Sequence, residues 1–247
     1  MKIIMEEAPA LKDAIEAIVN LVEEGVFEIG DEGIRLKAMD PSQISMISFA
    51  MPKKMFREYA GGERRRIGMD VGKLSKILAR GASGESVEMG VEEGRLVITF
   101  RGGKKKRTFR LPLLDLGEGL EREPKIEYKN SVVVNADALR EVLKDAKLVS
   151  THITLIADDK KFRVEIKGDE GEISEEFEKD GVALKELKVG APAKATYPLS
   201  YMEDMIKAAK AETDITLYLE NDRPLRLEYV VAGAEARYYL APRIESA

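Results

Sequence analysis

The chain has 247 residues, a formal net charge of −5, 44% hydrophobic and 34% charged residues, one histidine, no cysteine and no tryptophan. Without cysteine there is no disulfide, no thiolate-ligated zinc and no thiol nucleophile, and His152 alone supports neither a histidine metal site nor a histidine-based triad. The mild excess of acid argues against a protein that coats nucleic acid over its whole surface, but leaves room for a local basic face.

In chain order, an apolar strand followed by an amphipathic helix is predicted four times. The first pair is Lys2–Met5 with a helix over 9–22, the second Arg66–Met69 with 71–79. The third is Val132–Asn135 with 136–149, and the fourth Ala195–Tyr197 with 199–209. Each helix carries one three-residue signature: Leu11/Ala14/Ile15, Leu74/Ile77/Leu78, Leu139/Val142/Leu143 and Met202/Met205/Ile206. The i, i+3, i+4 spacing places each triplet on one buried stripe. Their leading positions lie 63, 65 and 63 residues apart, the mark of a repeated unit. Further strands are read at 34–38, 96–100, 162–166 and 225–229, separated by turn signals such as Gly30-Asp31-Glu32-Gly33, Asp158-Asp159 and Asp169-Glu170-Gly171. Each quarter is then strand, helix and about three antiparallel strands. Two quarters make a domain with helices on one face of its sheets, an α+β arrangement. The segment 111–128, with two prolines and two glycines, does not read as a helix and forms a strap between the halves. The expected division is an N-terminal domain over 1–112, a connector over 113–128 and a C-terminal domain over 129–247.

Nine basic residues fall on the four helices: Lys12; Lys73, Lys76 and Arg80; Arg140, Lys144 and Lys147; Lys207 and Lys210. On the third helix the acids Asp137, Glu141 and Asp145 are expected on a separate stripe. Any one such face is ordinarily a solvated helix surface with i, i+4 pairs. The same bias on four related helices favours a shared basic surface contacting phosphates without reading sequence.

Two strands differ sharply in charge. Lys104, Lys105, Lys106 and Arg107 open a basic strand continuing through Phe109 to Leu111, and Glu170 to Glu178 is acidic, with Glu172, Glu175 and Glu176 around Ile173 and Phe177. If both are edge strands, like charge protects each from self-pairing and matches it to the other. Phe109 and Leu111 are expected to bury a strip against Ile173 and Phe177. Joining the basic edge of one chain to the acidic edge of the next is a head-to-tail contact that closes a ring if the rotation permits. Helices lining a hole at ~10 Å spacing leave a bore of roughly 15 Å for eight and roughly 28 Å for twelve. A duplex is about 20 Å across, so three chains fit.

No catalytic constellation is visible. Gly102-Gly103-Lys104 lacks the earlier glycine and the Ser/Thr of a phosphate loop, and the acid pairs lie at turns, where Asp is favoured for backbone reasons. The reading is a non-enzyme without metal or cofactor. No apolar run reaches the ~20 residues of a membrane span, and the acidic start Met1–Glu7 is unlike a signal peptide.

The segment Lys37-Ala38-Met39-Asp40-Pro41-Ser42-Gln43-Ile44 resembles the Met-Asp-x-Ser-[His/Gln] segment of the DNA sliding clamp family, proliferating cell nuclear antigen. Tyr238-Tyr239-Leu240-Ala241-Pro242-Arg243-Ile244-Glu245 is similar to that family's carboxyl end, and Ser75-Lys76-Ile77-Leu78 to its second helix. Length, missing cysteine and tryptophan, and high charge most resemble archaeal members, whose clamps work in the cytoplasm at the nucleoid; a eukaryotic one would be nuclear. The resemblance implies a processivity factor for replication and repair: a homotrimeric ring around double-stranded DNA, helices inside and sheets outside. It implies docking of DNA polymerase, clamp loader, flap endonuclease and DNA ligase through short peptides with a glutamine, an aliphatic residue and two aromatics, and no role at a membrane. By matching motif, the pocket residues are Met39, Gln43, Ile44, Met46, Pro224, Tyr239, Ala241 and Pro242, with Leu116 and Leu120 of the strap as a wall. Packed core is the alternative role for Met39 and Met46. A monomeric repeat module gripping nucleic acid on a basic face is the alternative for the whole chain.

Overall fold

A computed structural model describes residues 1–120, 122–169, 171–179 and 181–244. Glu121 of the strap, Glu170 of the acidic run and Glu245 of the terminal motif lie outside the described residues. The chain forms two compact units. The first comprises Met1–Pro41, Ile47–Arg122 and Val230–Ala236; the second comprises Ser42–Met46, Glu123–Tyr229 and Arg237–Ala247.

A β-α-β-β-β succession occurs four times. It runs β1 (Lys2–Met5), α1 (Ala8–Val19), β2 (Glu24–Gly30), β3 (Gly33–Met39), β4 (Ser45–Pro52), then a short β5 (Glu58–Ala60). Next come β6 (Arg65–Asp70), α2 (Val71–Leu78), β7 (Ser86–Glu92), β8 (Arg95–Gly102) and β9 (Lys105–Pro112). The third copy is β10 (Asn130–Asn135), α3 (Ala136–Ala146), β11 (His152–Ala157), β12 (Lys161–Gly168) and β13 (Gly171–Glu178), with β14 (Leu184–Val189) added. The fourth is β15 (Ala193–Pro198), α4 (Leu199–Ile206), β16 (Asp214–Tyr218), β17 (Leu225–Val231) and β18 (Ala234–Leu240). In the first unit the strands are ordered β5-β1-β7-β8-β9 and β6-β2-β3-β4; in the second, β13-β12-β11-β15 and β14-β10-β16-β17-β18. All the described pairings are antiparallel, as expected for sheets closed by hairpins and helix connections.

Each helix forms because its apolar stripe has somewhere to go. Leu11, Ala14 and Ile15 on α1, Leu139, Val142 and Leu143 on α3, and Met202, Met205 and Ile206 on α4 are all buried. On α2 the stripe differs from the expected triplet. Val71, Leu74 and Leu78 are buried, but Ile77 is only half-buried. At 100° per residue, Ile77 falls about 60° outside the arc that the other three share.

The amino ends of the helices share a tertiary device. The first amide of each helix donates to the carbonyl just before the strand that follows the other helix of its unit. These bonds are Ala8 to Glu85 and Val71 to Glu23, both 2.8 Å, and Ala136 to Thr213 and Leu199 to Thr151, both 2.9 Å. Each pair of helices therefore satisfies one of its orphan amino-terminal donors reciprocally. Side-chain caps add to this on α2 and α3. Asp70 Oδ1 accepts from the Lys73 amide at 2.7 Å, and Asn135 Oδ1 accepts from the Asp137 and Ala138 amides at 3.0 and 3.3 Å.

The helices stop short of the expected ends. α3 closes at Ala146, where Leu148 N–H turns back to Asp145 O at 3.0 Å, the tighter geometry common at helix ends. β14 carries Lys185, Glu186 and Lys188 in six residues, and this edge-strand composition hid it from a hydrophobicity reading.

Candidate functional site

The nine helix cations are in different states. In the first unit, Lys12 is bound to Glu16 at 2.9 Å, with Asp13 at 3.7 Å. The hydrogen bond it donates to Glu16, foremost, raises its pKa against the cost of burial, so it stays cationic. Lys73 pairs with the cap residue Asp70 at 2.8 Å, whereas Lys76 and Arg80 are exposed. In the second unit, Lys207 and Lys210 are exposed. Lys147 reaches across to Glu203 of α4 at 2.6 Å, and Lys144 to Glu141 at 2.5 Å.

Arg140 departs from the expected exposed stripe. Its guanidinium donates to the Ala209 carbonyl at 2.8 Å and to Asp137 at 3.3 Å, tying α3 to the turn that follows α4. The acids of α3 form a stripe adjoining the basic one, and Asp137 and Glu141, three residues before Arg140 and Lys144, bridge across to them. Such surface pairs contribute about 0–1 kcal/mol, so Lys144 and Lys147 are easily released from their carboxylates; Arg140, with a backbone partner as well, is held more firmly.

The charged strands are edges. β9 ends its sheet with Lys105, Lys106 and Arg110 exposed, beside Lys104 in the preceding turn, and β13 ends its own with Glu172, Glu176 and Glu178 exposed. The expected apolar strip between them is narrower than the sequence suggested. Leu111 and Phe177 are buried in their own units at 5% and 4% exposure, leaving only Phe109 and Ile173 half-buried. Phe109 meets Phe100 edge-on with ring centres 5.9 Å apart, and Phe177 meets Phe162 at 5.6 Å. Arg107 is also engaged at home, bonded to Glu85 and 5.2 Å above the Phe100 ring. Glu176 binds Lys161 at 2.5 Å and lies 3.6 Å from Arg163; the Lys161 hydrogen bond first, and then Arg163, hold its carboxyl below the usual range. Burial, then the neighbouring Asp145, pushes Glu175 up.

The strap is fixed in part within each unit. In the first, the Leu114 amide donates to Gly68 O at 2.9 Å, and a Cβ on Gly68 would stand 2.3 Å from Leu114 O. Only glycine permits that approach. Leu116 is half-buried, Leu120 is 37% exposed, and Met39 is 40% exposed. In the second unit, Tyr239 Oη donates to Glu123, which also receives Arg237 at 3.0 Å. Arg237 bonds Glu228 as well. Burial opposes the charge of Arg237, but the two carboxylates raise its pKa, keeping it cationic. Tyr128 Oη donates to Pro224 O at 2.9 Å, and the Arg226 guanidinium lies 4.9 Å from the Tyr128 ring and 3.7 Å from Tyr218.

The ten pocket candidates divide between the units. Met39, Leu116 and Leu120 belong to the first; Gln43, Ile44, Met46, Pro224, Tyr239, Ala241 and Pro242 belong to the second. Within the second, the Ala241 amide donates to Ile44 O at 2.9 Å, bringing the two sequence motifs side by side. Gln43 is exposed and adopts φ of 57°, in the left-handed region just before the strand that follows. Ile44, Pro224, Ala241 and Pro242 are half-buried. Met46 and Tyr239, at 5% and 6% exposure, are core side chains, with only the tyrosine hydroxyl on polar duty. The sequence reading missed Glu123, Arg226 and Arg237, whose signal is a carboxylate or guanidinium at inward-compatible positions, visible only after register is known.

Among the described residues no group of acids or His could hold a metal ion, and no helix is long and apolar enough to cross a membrane. Fold and surface define a duplicated α+β protein with charged complementary edges. Residues 1–121 match the family model "Proliferating cell nuclear antigen, N-terminal domain" and 122–244 its C-terminal counterpart. A DNA polymerase sliding clamp from Methanococcus maripaludis is 39% identical over 241 residues, covering 95% of this chain and 96% of that one. One from Thermococcus gammatolerans is 34% identical over 247 residues, covering 99% and 98%. The crystal structure of PCNA from Thermococcus kodakaraensis superposes with a TM-score of 0.93 at 26% identity, covering 98% of this chain and 99% of that one. A. fulgidus PCNA, bound to the C-terminal region of FEN-1, gives 0.89 at 28% identity, covering 100% and 99%. The chain belongs to the proliferating cell nuclear antigen family, that of the DNA polymerase sliding clamps.

Proposed function

We propose that three copies of this chain close head to tail around double-stranded DNA and work there as a tether, not as an enzyme. The basic edge β9 of one copy meets the acidic edge β13 of the next. Lys104, Lys105 and Lys106 face Glu172, Glu175 and Glu176, while Phe109 and Ile173 complete the small apolar strip. Lys73, Lys76, Arg80, Lys144, Lys147, Lys207 and Lys210 contact phosphates, with Lys12 and Arg140 as minor contributors. The segment 113–128 is the connector between domains 1–112 and 129–247. Short peptides of DNA polymerase, clamp loader, flap endonuclease and DNA ligase dock beside it, on Met39, Gln43, Ile44, Pro224, Ala241 and Pro242, with Leu116 and Leu120 alongside. Met46 and Tyr239 support the pocket from beneath. The work is done wherever the chromosome lies, in the cytoplasm for a chain of archaeal type.

The observation that carries the reading is the opposite charge of two edge strands in a chain that matches a sliding clamp over 95% of its length. Light scattering at micromolar protein should give a mass near three chains. Clamp-loader-assisted loading should leave protein on circular DNA that is released when the circle is cut. Retention that ignores free ends and falls only with salt would instead mark a module gripping DNA electrostatically.

A further inference from the structure

The sheet that the strap crosses carries a second feature on the same face. Val26 of β2 pairs in register with Gly68 of β6, and both touch the strap: Gly68 lies against Leu114, and Val26 lies beneath Gly119. Two residues along each strand, on that same face, Glu28 pairs in register with Arg66. On the other side Glu28 pairs with Arg35 of β3. Glu28 receives Arg66 at 2.9 Å and Arg64 at 2.8 Å. One carboxylate is thus shared by two guanidiniums, with a third, exposed one in the next strand. Asp31, Glu32 and Glu63 stand in the turns beyond these strands. Arg64 keeps 70% of its side-chain surface exposed.

The opposite face of this layer is apolar. Phe27, Ile29 and Ile67 share a cavity with Leu11 of α1 and Leu74 of α2. A duplex lying against α1 and α2 therefore cannot reach Arg64 or Arg66, which look the other way. A chain following the strap meets them about 7 Å on, two residues along a strand.

We propose that Arg64, Arg66 and Arg35 receive an acidic segment of a partner protein, continuing from a peptide docked along the strap. The guanidinium fork matches carboxylates bidentately, and charge at an interface rim selects partners and speeds encounter. This inference rests on the docking reading above and adds to it a preference for what flanks the docking peptide.

The test uses the full-length protein and two fluorescent peptides. Each carries a glutamine, an aliphatic residue and two aromatics, then two glycines; one ends in four glutamates, the other in four serines. At low salt the glutamate tail should bind roughly threefold to tenfold more tightly, as expected for two or three exposed ion pairs, and molar salt should erase the difference. The Arg64→Ser/Arg66→Ser variant should lose that advantage while holding the serine-tailed peptide unchanged. Glu28→Gln frees both guanidiniums and should enlarge the advantage, an outcome that damaged folding does not produce. Equal affinity of both tails for the unaltered protein overturns the inference but leaves docking intact. An advantage that survives in the double variant also overturns it. Failure of both peptides to bind sinks the docking reading and the inference with it. A duplex oligonucleotide that loses affinity in the double variant, with tails indistinguishable, would assign the patch to nucleic acid instead.

Discussion

The two units repeat one design with different chemistry. Both carry paired helices whose first amides are capped across the pair, and both end a sheet in a strand backed by a phenylalanine pair. Their interiors differ. The buried aromatic side chains of the first are Phe27, Phe49, Phe56 and Phe100; the second buries Tyr197, Tyr229 and Tyr238 along with Phe162 and Phe177. Tyr229 Oη donates to Met205 O at 2.8 Å and lies 3.0 Å from Tyr238 Oη, and burial pushes its pKa up to about 12. Their equivalent edges differ more, lysine-rich in one and glutamate-rich in the other. Core composition can drift while pattern and volume are kept. Edge charge is constrained separately, since it determines which strand meets which.

The sharpest challenge to this likeness is in the cores. Phe100 and Phe162 are fully buried on the strands next to the two edge strands, Phe100 opposite Arg107 near the hairpin turn and Phe162 opposite Phe177 far from it. Phe100→Ala and Phe162→Ala should each cost about 3–5 kcal/mol in urea unfolding. A loss below about 1 kcal/mol at either position would show that the two phenylalanine pairs, placed differently along their hairpins, do not support their edges alike.

Next in size is the edge contrast. Lys105→Glu with Lys106→Glu should weaken assembly at least tenfold, about 1.4 kcal/mol, read as a fall in sedimentation coefficient. Glu172→Lys with Glu175→Lys in the same chain should recover it. Arg107 is unsuitable for this reversal because it already serves Glu85 within its own unit.

The caps provide a finer comparison. Asp70→Ala and Asn135→Ala should each lower stability by about 1 kcal/mol. The corresponding positions before α1 and α4, Glu7 and Pro198, make no side-chain cap, so Glu7→Ala should cost less in the same unfolding assay.

The smallest effect separates the two caps by pH. The Lys73 side chain, then its amide, holds the Asp70 carboxyl below its ordinary value. A depressed carboxyl contributes stability that is complete above the unfolded value of ~3.9 and disappears as pH falls through the folded one. The stability deficit of Asp70→Asn should therefore shrink as pH drops below about 4. That of Asn135→Ala, whose cap does not titrate, should not follow this course.

The sequence by itself determined the fourfold strand-helix rhythm, because buried stripes must recur at i, i+3, i+4 whatever they pack against. Leu11, Leu74, Leu139 and Met202 carried it, and the motifs around Asp40 and Tyr239 named the family. The two charged runs were legible as edges because burying so many like charges is prohibitive. Which partners those charges already possess was decided only by tertiary structure. Arg140 on the Ala209 carbonyl, Arg107 on Glu85, and Arg64 and Arg66 on Glu28 join residues between 22 and 69 positions apart. Periodicity reports which way a side chain faces relative to its own element. What it meets there depends on register and on the neighbouring strand or helix, which no local pattern encodes.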